Sequence, residues 1–140
     1  MHRWAGVLVV IRGGKLVLQQ RDNKPGITHP GKVTLFGGSL EENEEPLGAA
    51  LRELDEELGL KVRDNSLKRL ITYYKERQFD GEDSESNVFY LTEVSPENLF
   101  LREGAAILEF DPRKDELDGF SMSTVTRLSI LAYLEKTKNV

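Results

Sequence analysis

The chain contains 140 residues, 39% of them hydrophobic, and carries a formal net charge of -5 with no cysteine. This length predicts one domain over residues 1–140 with a real buried core. The negative charge argues against duplex nucleic acid as a partner, and the lack of cysteine excludes disulfides, thiol nucleophiles and cysteine-based zinc sites. No signal-peptide pattern or membrane-length apolar run occurs, so we expect a cytoplasmic protein with no membrane partner.

Apolar, β-branched runs and the turn signals between them predict three strands in the amino-terminal part of the chain. Val and Ile dominate the first run, and Gly13 and Gly14 follow it as a turn signal, which is typical of a β-hairpin. Residues 21–32 contain two prolines and two glycines and are predicted to form a loop. The predicted strands are residues 4–11, 15–20 and 33–36.

Pro46 and Gly59 bound an amphipathic helix in the middle of the chain. Proline suits the first helical position, and glycine suits the left-handed residue just past the last turn. The apolar residues of this helix fall within a narrow sector that is predicted to face the core. They are Leu47, Leu51, Leu54 and Leu58.

Three carboxylates of the same helix, Glu53, Glu56 and Glu57, are predicted to project roughly opposite the apolar sector. Like charges at this spacing cost about 0.2–0.5 kcal/mol per pair, and a bound divalent cation would reverse that sign. Ligands that are oxygen only favour Mg²⁺ or Mn²⁺ over Zn²⁺. An ordinary solvated acidic face is the alternative at this point. Upstream, Gly37 and Gly38 provide a backbone that can approach a ligand closely.

The second half of the chain predicts three further strands and a closing helix. A polar stretch, residues 79–87, reads as a loop between two of these strands. Together, strands before, between and after two helices indicate an α/β layered domain. The predicted strands are residues 67–77, 87–94 and 106–110, and the predicted helix is residues 123–136. Its apolar residues at helical spacing are Val125, Leu128, Ile130, Leu131 and Leu134.

The stretch from Gly38 to Leu60 resembles the signature box of the Nudix hydrolases. The matching positions are Gly38, Glu44, Arg52-Glu53-Leu54, Glu56-Glu57, Gly59 and Leu60. This resemblance implies the α/β/α Nudix fold, a mixed β-sheet sandwiched between helices, with the box loop and helix at one edge. It also implies Mg²⁺-dependent hydrolysis of a diphosphate linkage in a nucleoside diphosphate linked to another group, with Mn²⁺ as a substitute.

The resemblance further implies roles for individual residues. The metal ligands would be Glu53, Glu56, Glu57, Glu103 and the carbonyl of Gly37. The catalytic residues would be Glu53, Glu56 and Glu103, one of them acting as the general base, together with Arg52, which orients the carboxylates. The substrate-binding residues would be Arg21, Gly37 and Gly38.

The substrate itself is a small nucleotide whose identity the sequence leaves open. Glu103, followed by Gly104, is similar to the MutT branch, which implies a (d)NTP cleaved to the monophosphate and pyrophosphate. The late Asn that this branch uses for purine recognition has no clear counterpart, and residues 121–126 stand in that region. Residues 21–25 are similar to the loop of nucleotide-sugar enzymes of the GDP-mannose type. A non-catalytic nucleotide sensor is the other alternative, and the protein is a monomer or a homodimer.

Overall fold

The structure is a computed structural model that describes residues 1–27, 29–76, 81–102 and 106–138. The strands in these ranges are β1 (His2–Ile11), β2 (Leu16–Gln20), β3 (Val33–Thr34), β4 (Phe36–Ser39), β5 (Lys68–Lys75), β6 (Ser84–Val94) and β7 (Ala106–Phe110). The α-helices are α1 (Pro46–Leu58) and α2 (Thr124–Thr137). Neither helix is long and apolar enough to cross a membrane, a finding that covers the described ranges.

Strand β1 is the centre of a mixed sheet. It pairs in parallel with β6 and antiparallel with β2 and β4, while β5 forms the far edge beside β6. The predicted hairpin is confirmed, since Val9 of β1 lies opposite Val17 of β2. Successive β1 side chains point to opposite faces, and the strand is buried from Ala5 to Ile11, so both faces of the sheet must be covered.

Two separate apolar cores cover those faces. Leu54 and Leu58 of α1 pack with Val7 and the alternate β1 residues on one face. Ile130 of α2 packs with Leu8 on the other face. This layering confirms the predicted mixed sheet sandwiched between helices, and it separates the molecule into an α1 face and an α2 face.

The chain between Val33 and Ser39 forms two strands instead of the single strand predicted over residues 33–36. Thr126 Oγ1 accepts a hydrogen bond from the Leu35 backbone N–H at 3.0 Å, which takes Leu35 out of the ladder. The following residues then pair with β1, so that Gly37 lies opposite Gly6 and Gly38 opposite Ala5. The glycine pair is therefore part of strand β4.

Strand β6 begins at Ser84, inside the stretch predicted to be a loop over residues 79–87. Ser84 and Ser86 pair on both sides, with β1 and with β5, and these ladders hold polar residues in a strand. Sequence patterns underestimate such strands because one face carries small polar side chains. Residues 79 and 80 of the predicted loop lie outside the described residues.

Both ends of α1 follow the sequence signals, and its predicted apolar stripe packs against the core. Gly59 adopts a left-handed φ of 68° and donates its N–H to the Asp55 carbonyl at 3.0 Å. The buried residues of α1 include Ala49, Ala50 and Glu57, while Leu47 and Leu51 are half-buried. Small side chains under the middle of the helix let it sit close to the sheet.

The predicted closing helix is confirmed as α2, and two of the apolar residues at helical spacing, Leu128 and Leu131, are 38% and 46% exposed. Ile130 is the buried α2 residue of the core on the α2 face, and Val125, Tyr133 and Leu134 pack against it.

Candidate functional site

Arg52 joins the loop before α1 to the acidic residues of the helix. Its Nε and Nη2 donate to the two carboxylate oxygens of Glu44, at 2.8 and 2.9 Å. Its Nη1 donates to Glu53 Oε1 at 2.9 Å and to Glu56 Oε2 at 3.2 Å, and Nη2 also donates to the Ser39 carbonyl at 3.1 Å. A guanidinium has five N–H donors, so this arrangement engages all of them.

The pairing of Arg52 with Glu44 fixes both charges. Hydrogen bonding to Glu44 raises the pKa of Arg52 further, and the same bond lowers the pKa of Glu44. Glu44 Oε1 also accepts a hydrogen bond from the backbone N–H of Glu41 at 2.9 Å. The Glu44 carboxylate therefore links the loop that contains it to Arg52 of α1. Arg52 therefore stays cationic and positions other groups. It does not exchange a proton.

Glu53 lies directly against the glycine pair of β4. A Cβ atom built on Gly38 would collide with the Glu53 carboxylate, at 2.6 Å from its Cδ. Burial raises the pKa of Glu53, Arg52 opposes that shift, and the negative charge of Glu56 adds to it. A carboxyl whose pKa is raised by burial can take up a proton more readily than a solvated one.

Glu57 is buried, 4% exposed, and contacts Gln19 of β2. Gln19 Nε2 donates to Glu57 Oε2 at 3.4 Å, and Gln19 is itself only 2% exposed. The sequence interpretation did not include Gln19. The available signal was a glutamine that directly follows the three apolar residues of the same predicted strand, Leu16 to Leu18. The structure places it opposite Thr34.

The three helix carboxylates do not form one solvated acidic face. Arg52 bridges Glu53 and Glu56, and Glu57 is buried beside Gln19 while its side chain also hydrogen-bonds with that of Glu53. Within the described ranges, no three His, Asp or Glu side chains are arranged so that they could together hold a metal ion. Glu103, the remaining predicted ligand, lies outside the described residues.

A cleft of about 460 Å³ opens on the α2 face beside the glycine pair. The predicted substrate-binding residues Arg21, Gly37 and Gly38 all line it. So does the segment that stands where the MutT branch carries its purine-binding Asn, and the residues of that segment in the cleft wall are Ser123, Thr124, Val125 and Thr126. Distant parts of the sequence therefore meet here.

Cationic groups are part of the cleft lining. Arg21 and Lys75 line it together with His29. Burial lowers the pKa of His29, and the nearby charges of Lys32 and Arg21 lower it further, so this imidazole is neutral at pH 7. The Nε of Arg21 has no hydrogen-bond partner among the described residues. An anionic group is the natural partner for such a guanidinium.

A second groove of about 470 Å³ lies beside the loop before α1. Its acidic lining residues are Glu41, Glu42, Glu44, Glu45 and Glu82. This density of carboxylates repels an anionic ligand, so the cleft on the α2 face is the better candidate for a phosphorylated substrate.

Known proteins share this architecture. A family model described as NUDIX domain matches residues 2–129. The MutT NUDIX hydrolase from Burkholderia pseudomallei is 21% identical, with a TM-score of 0.75 over 94% of this chain and 96% of that one. An Ap4A hydrolase from C. elegans is 14% identical, with a TM-score of 0.74 over 100% of both chains. The NUDIX domain of Shewanella oneidensis NrtR, solved with ADP ribose, is 16% identical, with a TM-score of 0.75 over 96% of this chain and 86% of that one.

Proposed function

The chain belongs to the NUDIX domain family and is a pyrophosphohydrolase of nucleoside diphosphate derivatives, and we propose that its substrate is a (d)NTP, which it cleaves to the monophosphate and pyrophosphate. One observation carries the proposal. The Glu53 carboxylate packs against Gly38, which also lines the cleft on the α2 face. The proposed catalytic acids and the cationic substrate cleft are therefore separated by one residue, Gly38.

The residues present fit a divalent cation such as Mg²⁺ or Mn²⁺. All the candidate ligands are oxygen donors, which hard cations prefer. The side chains of Glu53 and Glu57 are largely shielded from bulk water, so a cation can replace their remaining contact with solvent. The proposed ligands are Glu53, Glu56, Glu57, Glu103 and the Gly37 carbonyl. When bound, the metal would screen phosphate charge and lower the pKa of a coordinated water.

Glu103 belongs to this proposal because of where the chain before it is attached. The backbone N–H of Arg102 donates to the Glu57 carbonyl at 2.7 Å, and the N–H of Phe100 donates to the Leu58 carbonyl at 3.0 Å. The segment leading to Glu103 is thus attached to the end of α1 that carries the acids.

The chain's own groups divide the work of the reaction. Water attacks a phosphorus atom, the bridging phosphorus–oxygen bond breaks, and pyrophosphate leaves. Glu53, Glu56 or Glu103 accepts the proton of the attacking water. Arg21 binds phosphate oxygens, and Arg52 holds Glu53 and Glu56 in position.

The test is product release in Mg²⁺ from a panel of canonical and oxidised dNTPs, a nucleotide sugar, ADP-ribose and a dinucleoside polyphosphate. We expect pyrophosphate from a triphosphate at the highest kcat/KM. Turnover confined to the nucleotide sugar would replace the triphosphate proposal with the nucleotide-sugar alternative. No turnover, with Mg²⁺-dependent nucleotide binding intact, would identify a sensor; the Shewanella match with ADP ribose makes that ligand the first to examine.

A further inference from the structure

One row of residues crosses the sheet on the α2 face with an aromatic ring at each end. Trp4 of β1 lies opposite Ser86 of β6, and Ser86 lies opposite Tyr73 of β5. Directly opposed residues share a face of the sheet, and all three line the cleft. Neither aromatic is fully buried, since both are of intermediate exposure. The row is therefore Trp4, Ser86, Tyr73, with its smallest side chain in the middle.

The spacing of the row leaves room for one flat ring. Neighbouring strands lie about 4.8 Å apart, so the backbones of Trp4 and Tyr73 are separated by about 10 Å. A planar ring between two others needs about 7 Å, because stacked carbon atoms approach to about 3.5 Å. The serine between them contributes only a hydroxymethyl group.

The Trp4 indole lies in space that two glycines leave free, on the side away from Tyr73. A side chain on Gly6 or Gly37 would collide with the six-membered ring of Trp4, so the indole occupies the space above both residues. Gly37 belongs to β4, which pairs with β1 on the edge opposite β6. The indole thus leans away from the gap above Ser86 and leaves that gap open.

We propose that this row, the Trp4–Ser86–Tyr73 slot, binds the nucleobase of the substrate, with the base stacked against the Trp4 indole and Tyr73 as the opposite wall. This inference rests on the proposed nucleotide substrate. Gly37, under the indole, is followed by Gly38, against Glu53. A base in the slot therefore places the phosphates of the same molecule towards the acids. The next row, His2, Ser84 and Lys75, continues the cleft with polar and cationic groups.

The chemistry of the slot determines what it selects. Every nucleobase presents a π-face, so stacking selects nucleotides over phosphorylated sugars and discriminates weakly among bases. The slot accordingly predicts an enzyme that accepts several bases and rejects diphosphates without an aromatic group.

Trp4 is the sole tryptophan of the chain, so its fluorescence reports on the slot alone. The first experiment titrates the wild-type protein with dGMP and dCMP without metal, and with ribose 5-phosphate as the matched probe that lacks a base. We expect quenching by both nucleotides and none by ribose 5-phosphate. Equal responses to all three, or no response to either nucleotide, would overturn the slot.

The second experiment compares steady-state kinetics of Trp4→Leu, Trp4→Phe, Tyr73→Leu and Tyr74→Leu on the preferred triphosphate. Tyr74 is the matched control, because it is 66% exposed and follows Tyr73 on the opposite face. We expect each leucine variant in the slot to raise KM about tenfold with little change in kcat, Trp4→Phe to restore most of the affinity, and Tyr74→Leu to behave as wild type.

Wild-type KM in both leucine variants of the slot, Trp4→Leu and Tyr73→Leu, with folding confirmed by thermal melting, would overturn the slot while leaving the proposed hydrolase intact. Conversely, a protein that hydrolyses no triphosphate but shows base-dependent quenching would refute the proposed function and retain the slot. The two failures are therefore distinguishable.

Discussion

The two faces of the sheet carry different kinds of chemical groups. On the α1 face, Arg52 engages every one of its donors in a network that is complete before any ligand binds. Its partners are three carboxylates and the Ser39 carbonyl. On the α2 face, the cleft is lined by hydroxyls, aromatic rings and cations, and Arg21 Nε has no partner in the described part of the chain.

This contrast is consistent with a division between positioning on the α1 face and substrate recognition on the α2 face. Charged groups that act on a phosphorus atom must be held still, since small displacements cost rate. Groups that bind a substrate must remain accessible before it binds. Gly37 and Gly38 connect the two faces. A Cβ built on Gly37 would collide with Trp4 on one face, and a Cβ built on Gly38 would collide with Glu53 on the other.

Glu57→Gln should produce the largest loss if the acids carry the chemistry. We expect kcat to fall at least about 100-fold, because an amide cannot supply the charge that holds a cation. Glu42→Gln, an exposed loop acid, is the matched control and should keep wild-type kcat. Near-normal turnover of a folded Glu57→Gln protein would contradict the assignment of this acid.

Arg52→Lys tests whether the network needs its geometry or only its charge. Lysine keeps the charge but cannot form the paired bonds to Glu44, so we expect kcat/KM to fall about tenfold and the free energy of unfolding to drop by about 2 kcal/mol. Urea unfolding and kinetics measure the two effects. If Arg52→Lys matched wild type in both, the fork of hydrogen bonds would be unnecessary.

Glu85 supports the strand under the slot from the α1 face, and its contribution should depend on pH. Hydrogen bonds from Asn87 and then Arg3 lower the pKa of Glu85 below its ordinary value of 4.5. The ionised form therefore stabilises the fold above the unfolded-state pKa, and this stability is lost as the pH falls through the folded-state pKa.

We expect Glu85→Gln to cost up to about 1 kcal/mol of unfolding free energy at neutral pH, since Arg3 is partly solvated. Urea unfolding of both proteins from pH 7 downwards should show this difference shrinking once the pH is below about 4.5. A difference that is constant across that range would mean that the charge of Glu85 contributes nothing.

Gly48→Ala should have the smallest effect, and it should be favourable. A Cβ at Gly48 meets only Glu44 Cγ, at 3.9 Å, so alanine fits and the helix should gain about 0.5–1 kcal/mol with unchanged kcat. Gly38→Ala is the contrasting variant, because its Cβ collides with Glu53 and should reduce kcat. Thermal melting and kinetics would show whether tight packing is confined to the boundary between the faces.

Local sequence signals predicted most of the helices and strands and suggested which side chains react. Pro46 and Gly59 mark the ends of α1 because their backbone preferences act locally. The family box predicts Glu53, Glu56, Glu57 and Arg52 as site residues, and their spacing places them within one or two helical turns. Such features depend on near neighbours in the chain, which a sequence displays directly.

The surroundings of those side chains follow from the tertiary fold and not from local sequence. The burial of Glu57 beside Gln19 and the meeting of Trp4, Ser86 and Tyr73 depend on strand register, which pairs residues far apart in sequence. Ser86 shows the reason most clearly: a serine in a polar stretch predicts a loop, yet ladders on both sides place it in the floor of the cleft. Local propensity is too weak to specify such a position, and long-range pairing overrides it.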